Sequence, residues 1–129
     1  MYWYLDTSAF MKLVVEETSS KRMRTWHASQ RGRMVSSELM RVEALRTARK
    51  LEGGFLGRTR QALRTVHMVA VSRSVCDMAA ELSLEEIRSL DALHLASALL
   101  LGDELAGIVT YDERLTVAAR SAGLEVIQP

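Results

Sequence analysis

The sequence predicts an α/β fold, a three-layer α/β/α sandwich around a central, mostly parallel sheet of about five strands. Three observations carry that prediction. Short, apolar, often β-branched segments alternate with helical patterns along the chain. The segments between them keep apolar residues at helical spacing. Each short segment is followed by a polar or helix-starting residue, as expected where strands of a doubly covered sheet feed directly into helices.

The five strand candidates are Trp3–Leu5, Met34–Ser36, Met68–Val71, Ile108–Thr110 and Glu125–Ile127. The first helix candidate, Ser8–Val15, is short and apolar, and the second, Thr18–Gln30, is polar and amphipathic. Ser37–Leu51 places Leu39, Val42, Leu45, Arg46 and Arg49 at helical spacing. Gly53, Gly54 and Gly57 are read as a break, after which Arg58–Val66 resumes a helix. Ser74–Ile87, Leu90–Leu101 and Glu113–Ala122 complete the set, the last stopped by Gly123 in a C-cap position.

The 129 residues are one domain's worth, so residues 1–129 are read as a single unit. Hydrophobic residues make up 48% and charged residues 26%, ordinary for a globular protein. The opening MYWYLDTSAF has no basic leader followed by a long apolar stretch, so it does not read as a signal peptide. The most apolar run, Ala92–Leu101, falls far short of the ~20 residues a membrane span needs. The expectation is a cytoplasmic protein. Cys76 is the only cysteine, which excludes an internal disulfide and a cysteine-based zinc cluster.

A net charge of +1 hides an asymmetry: residues 1–75 carry +8 and residues 76–129 carry −7. Arg41, Arg46, Arg49, Lys50, Arg58, Arg60 and Arg64 lie in the basic half. Such a cluster suits a phosphate backbone, and equally a solvated helix surface.

Four acids stand out. Asp6 and Asp112 follow apolar strands, Glu43 lies about two turns into a helix, and Asp91 opens a very apolar helix. Taken singly, each has a structural explanation. Asp6, Asp91 and Asp112 sit where helices begin and would serve as N-caps. Glu43 would pair with Arg46 at i+3. Taken together, they point to one end of a parallel sheet, where ligands bind in such folds. A carboxylate pair ~5 Å apart repels by ~3 kcal/mol at an effective dielectric near 20. Converging acids therefore call for a divalent cation, and an oxygen-only site suits Mg²⁺ or Mn²⁺. Such a site would activate water for phosphodiester hydrolysis. His27, His67 and His94 have no triad context, and His94 reads as a packing or hydrogen-bonding residue.

Four motifs in order, DTSAFMKL at 6–13, SSELMRVEALR at 36–46, RSLDALHLASAL at 88–99 and TYDERLTVAARSAGLEV at 110–126, resemble those of the PIN-domain toxins. These are the VapC-type ribonucleases of bacterial and archaeal toxin–antitoxin systems, and the resemblance covers nearly the whole chain. It implies a Mg²⁺- or Mn²⁺-dependent endoribonuclease acting on RNA, a VapB-type antitoxin that blocks the site, and a homodimer. By position, Asp6 and Asp91 match direct metal ligands, Glu43 the helix acid, and Asp112 an acid that often acts through water. Ser8 and Thr110 match hydroxyls that orient the acids or a metal-bound water.

Two other readings compete. A haloacid-dehalogenase phosphatase needs a second acid where this chain has Ser8, and a response-regulator receiver needs adjacent strand-end acids where it has only Asp6. A non-catalytic partner-binding module would instead expose Met11, Leu13, Met23 and Trp26 as an interface, or else these four pack inside the domain.

Overall fold

A computed structural model of the chain describes residues 1–82, 85 and 87–129. The strands are β1 (Tyr2–Leu5), β2 (Met34–Ser37), β3 (His67–Val69), β4 (Leu105–Val109) and β5 (Val126–Ile127). The helices are α1 (Thr7–Met11), α2 (Ser20–Ser29), α3 (Glu38–Lys50), α4 (Phe55–Leu63), α5 (Arg73–Glu81), α6 (Ser89–Leu99) and α7 (Glu113–Ser121). All strand pairings are parallel, in the order β3-β2-β1-β4-β5.

Strand periodicity divides the core into two layers. Leu5, Met34 and Val109 face one apolar cluster with α1, α2, α3 and α4, which includes Phe10, Met23, Met40, Ala44 and Leu63. Their neighbours Tyr4, Val35 and Ile108 face the other, with Leu95 and Ala98 of α6 and Leu115 and Ala119 of α7. The three central strands therefore bury both faces, which explains why they read as apolar runs. This is the predicted sandwich.

Met11 and Met23 are buried, and Leu13 and Trp26 pack against the same cluster. Trp26 meets Trp3 edge to face with ring centroids 5.7 Å apart. The four residues thus belong mainly to the core, as the packing alternative expected.

Two glycines are required by geometry. A Cβ on Gly107 would lie 2.6 Å from both the Glu125 carbonyl oxygen and the Trp3 ring, so β4 and β5 meet only around a bare Cα. Gly123 has φ +84. Its N–H bonds the Arg120 carbonyl at 2.9 Å, and the Leu124 N–H bonds the Ala119 carbonyl at 3.0 Å, closing α7 in a Schellman motif.

Several boundaries differ from expectation. The chain leaves α1 after Met11, four residues before the predicted Val15. Gly54, at φ 75, marks the break between α3 and α4, but Gly57 lies inside α4 rather than before it. The β4 strand begins three residues earlier than predicted, at Leu105. The predicted helix Ser74–Ile87 is observed to Glu81; residues 83, 84 and 86 of that prediction lie outside the described residues.

Candidate active site

The strand order reverses at β1, whose neighbours are β2 on one side and β4 on the other. That switch leaves a crevice beyond the carboxyl ends of β1 and β4. Asp6 follows β1 directly, and Asp112 is the third residue after β4.

Asp6 is the N-cap of α1 and only 4% exposed. Its Oδ1 accepts the Ala9 N–H at 2.9 Å and the Ser8 hydroxyl at 2.7 Å. Its Oδ2 accepts the Thr110 hydroxyl at 2.6 Å. Ser8 Oγ in turn accepts the Tyr111 N–H at 2.9 Å, and Thr110 Oγ1 accepts the Asp112 N–H at 3.0 Å. The two hydroxyls therefore tie the end of β1 to the end of β4 and fix the Asp6 carboxylate between them. Burial pushes the Asp6 carboxyl up, against the lowering effect of Thr110, Ala9 and Ser8. Ser8 Oγ also lies 3.0 Å from Oδ2, so its hydroxyl is shared between the two carboxylate oxygens.

Asp112 caps α7 through the Leu115 N–H at 3.0 Å. Asp91 is not a cap. The N-cap of α6 is Arg88, and Asp91 is the third helical residue, held by a hydrogen bond from the Arg88 backbone. Burial, then the charge of Asp112, push the Asp91 carboxyl up, and Glu43 adds to the effect.

Glu43 does not pair with Arg46. Its Oε1 accepts the Thr7 hydroxyl at 2.7 Å and the His94 Nε2 at 2.8 Å. Burial raises the Glu43 carboxyl, but the His94 and Thr7 hydrogen bonds outweigh it and the net direction is down. His94 is buried and its Nδ1 lies 2.8 Å from the Tyr4 hydroxyl. Burial pushes the Tyr4 phenol up to about 12, so it stays protonated beside Nδ1. An ionised Glu43 can only accept, so Nε2 donates to it. Thus a core tyrosine, through His94, sets the direction of Glu43.

Glu43, Asp91 and Asp112 line one open cleft of about 790 Å³, together with Arg88, Ser89, Leu90, Glu113 and Arg114. Asp6 is absent from that lining. Among the described residues, no three His, Cys, Asp or Glu side chains are grouped closely enough to hold one ion as they stand.

Sequence reasoning missed Thr7 and Tyr4. The signal for Tyr4 was present: strand alternation puts it on the face opposite Leu5, toward α6. His94 was read as a hydrogen-bonding residue, and both its nitrogens are so engaged.

The fold and its acids define an α/β protein with an acidic cleft at the switch point of a parallel sheet. The chain belongs to the PIN-domain family, whose model matches residues 3–121. It is 41% identical over 128 residues to Ribonuclease VapC46 of Mycobacterium tuberculosis, covering 98% of this chain and 96% of that protein. It is 36% identical over 130 residues to Ribonuclease VapC47 of the same species, with the same coverage. A solved toxin–antitoxin complex from Klebsiella pneumoniae contains a chain of the same fold, with a TM-score of 0.74, 22% identity, and coverage of 98% of this chain and 97% of that one.

Proposed function

We propose that this chain is a divalent-metal-dependent endoribonuclease, the toxin of a VapBC-type pair, with Asp6, Glu43, Asp91 and Asp112 as its acidic site. One observation carries the reading. Acids from three separate elements, Glu43 of α3, Asp91 of α6 and the α7 cap Asp112, line one open cleft at the sheet's switch point. The names of the relatives, both ribonucleases, support the reaction class. Among the described residues, no helix is long and apolar enough to cross a membrane.

The donor set fits Mg²⁺ or Mn²⁺. It is all carboxylate and hydroxyl oxygen, the chemistry these hard cations prefer. The proton affinity of Asp91, raised in part by Asp112 and Glu43, is the repulsion that a cation relieves. Asp6, Asp91, Glu43 and Asp112 would hold the ion, which when bound lowers the pKa of water and stabilises negative charge on the phosphate. Ser8 and Thr110 hold the Asp6 carboxylate in one orientation. His94 and Thr7 do the same for Glu43 and keep it ionised. Arg88 and Arg114, which also line the cleft, would meet the phosphodiester.

The same reading assigns residues 1–129 to one nuclease domain, makes the toxin homodimeric and gives it a VapB-type antitoxin. The Klebsiella relative by fold was solved as a toxin–antitoxin complex.

Cleavage of total cellular RNA by the purified protein tests the proposal. Discrete fragments should form with Mg²⁺ or Mn²⁺ and vanish with EDTA or in Asp91→Asn. Intact RNA in every lane would refute it, as would fragments that persist in the variant.

A further inference from the structure

The acidic cleft poses a problem of its own. Glu43, Asp91, Asp112 and Glu113 repel a polyanion, and Arg88 and Arg114 are the only cations on the cleft's lining. Binding energy for a nucleic acid strand must come from cations close by. The α3 helix provides them. At about 100° per residue, Glu43, Arg46 and Lys50 fall within about 60° of one another on the helix, and Arg49 lies about 60° beyond Arg46. Lys50 is only about 10 Å along the helix axis from Glu43. Met40, Ala44 and Ala48 occupy the buried face, so the basic residues sit on the outer flank.

Arg46, Arg49 and Lys50 line a second cleft of about 300 Å³ with no acid among its lining residues. All three side chains are exposed, and none makes an ion pair with another described residue. Lys12 and Arg24 of the basic half are matched by Glu17 and Glu16, and what sets the three α3 cations apart is their place on the helix that carries Glu43. Three unmatched cations in one acid-free cleft, continuous along one helix with an acid of the candidate site, make a phosphate-binding track.

We infer that Arg46, Arg49 and Lys50 form a docking track for the sugar–phosphate backbone of the RNA strand, leading away from the acidic cleft along α3. This rests on the ribonuclease reading and adds where the strand lies. The contacts are to phosphate, so the track supplies affinity and position without reading sequence.

The test uses the full chain and a fluorescent single-stranded RNA of mixed sequence. Binding is measured in EDTA over a range of salt, and cleavage is measured separately with Mn²⁺. The comparison is between wild type, the combined variant Arg46→Ala, Arg49→Ala, Lys50→Ala, and a control, Arg31→Ala with Arg64→Ala. The control removes two cations from a different pocket, beside the starts of β2 and β3. Each lost phosphate contact should lower the slope of log affinity against log salt by about 0.7, hence by about 2 for the three. KM for cleavage should rise tenfold or more while kcat changes little. Arg46→Lys with Arg49→Lys should retain the wild-type slope. The control should keep nearly the wild-type slope and KM. An unchanged slope in the combined variant overturns the track, whether the patch serves a protein or only solubility. A loss in the control of about two-thirds that of the combined variant, or more, overturns it too, because the two removed charges against three would then explain the effect. Wild type that binds RNA with the expected slope but never cleaves it would instead overturn the ribonuclease reading.

Discussion

The two ends of the sheet carry opposite charge. At the carboxyl end, Glu43, Asp91, Asp112 and Glu113 surround one cleft, with Asp6 buried nearby at the end of β1. At the amino end, a pocket of about 520 Å³ is lined by His27, Arg31, Arg64 and His67, with no acid among its lining residues. Part of this polarity follows from a parallel α/β fold. Helices that follow strands begin at the carboxyl end, where their positive N-termini favour anions, and finish at the amino end, where cations are favoured. Capping and catalysis are therefore not rival explanations of Asp6 and Asp112, which cap helices and also gather at the switch point. Asp91 separates the two effects. It lies in the first turn of α6, where the dipole favours its charged form, yet its carboxyl is pushed up by burial and by Asp112. Burial first, and then the neighbouring acids, have overridden what the helix offers. At the amino end, burial and the charge of Arg31 push the His27 imidazole down.

The largest expected effect separates the two ends by activity. Asp6→Asn and Asp91→Asn should abolish metal-dependent RNA cleavage, while Arg31→Ala with Arg64→Ala should leave kcat within a small factor of wild type. Equal losses at both ends, measured as kcat on the same RNA, would erase the functional distinction.

A second effect concerns the sheet that joins them. Gly107→Ala should destabilise the protein by about 1–3 kcal/mol in denaturant unfolding, because the new methyl meets the Glu125 carbonyl and the Trp3 ring. Unaltered stability would mean that β4 and β5 can move apart freely. The buried chain behind the cleft predicts a similar or smaller cost. His94→Ala leaves the Tyr4 hydroxyl without its partner and should cost about 1–3 kcal/mol, and Tyr4→Phe should cost less. A Tyr4→Phe variant as unstable as His94→Ala would show that the hydrogen bond, and not the packing of the His94 ring, holds this part of the core.

The smallest effect is in the pH dependence. The Asp6 and Asp91 carboxyls are raised, so between the ordinary aspartate value and their raised values the folded state holds more protons than the unfolded one. Their contribution to stability in EDTA therefore grows as pH falls through that window and is lost as pH rises through it. Glu43 has the opposite sign. Its folded value is lowered, so its contribution is present at neutral pH and is lost as pH falls through that value. Asp91→Asn should raise the metal-free melting temperature at neutral pH and flatten the gain on acidification. A variant profile parallel to wild type would remove the repulsion inferred at Asp91.

The sheet and most helices were legible because their signals are local: apolar runs, helical spacing, and polar residues at strand ends. Asp6 and Asp112 were legible for the same reason, since each closes an apolar strand. Glu43 was not. A helix surface offers Arg46 at i+3, but the partner that fixes Glu43 is His94, 51 residues away, and only the fold, which lets α3 and α6 meet from the two layers of the sandwich, brings it near. Asp91 read as a cap, because one turn of helix cannot be placed to within a residue from composition. The burial of Asp6 was also invisible, since it depends on Ser8 and Thr110 reaching the same carboxylate from opposite sides of the β1–β4 junction. Gly57 read as a breaker and is tolerated inside α4, because helix packing overrides a cost of about 1 kcal/mol.

The most direct test of the central claim, that the four acids form one cation site, is titration of the metal-free protein with Mn²⁺ by calorimetry, in wild type and in the four single variants Asp6→Asn, Glu43→Gln, Asp91→Asn and Asp112→Asn. Saturable binding in wild type that weakens in every variant, most in Asp6→Asn and Asp91→Asn, is the predicted result. Wild-type affinity in Asp6→Asn and Asp91→Asn, or no saturable binding in wild type, would contradict it.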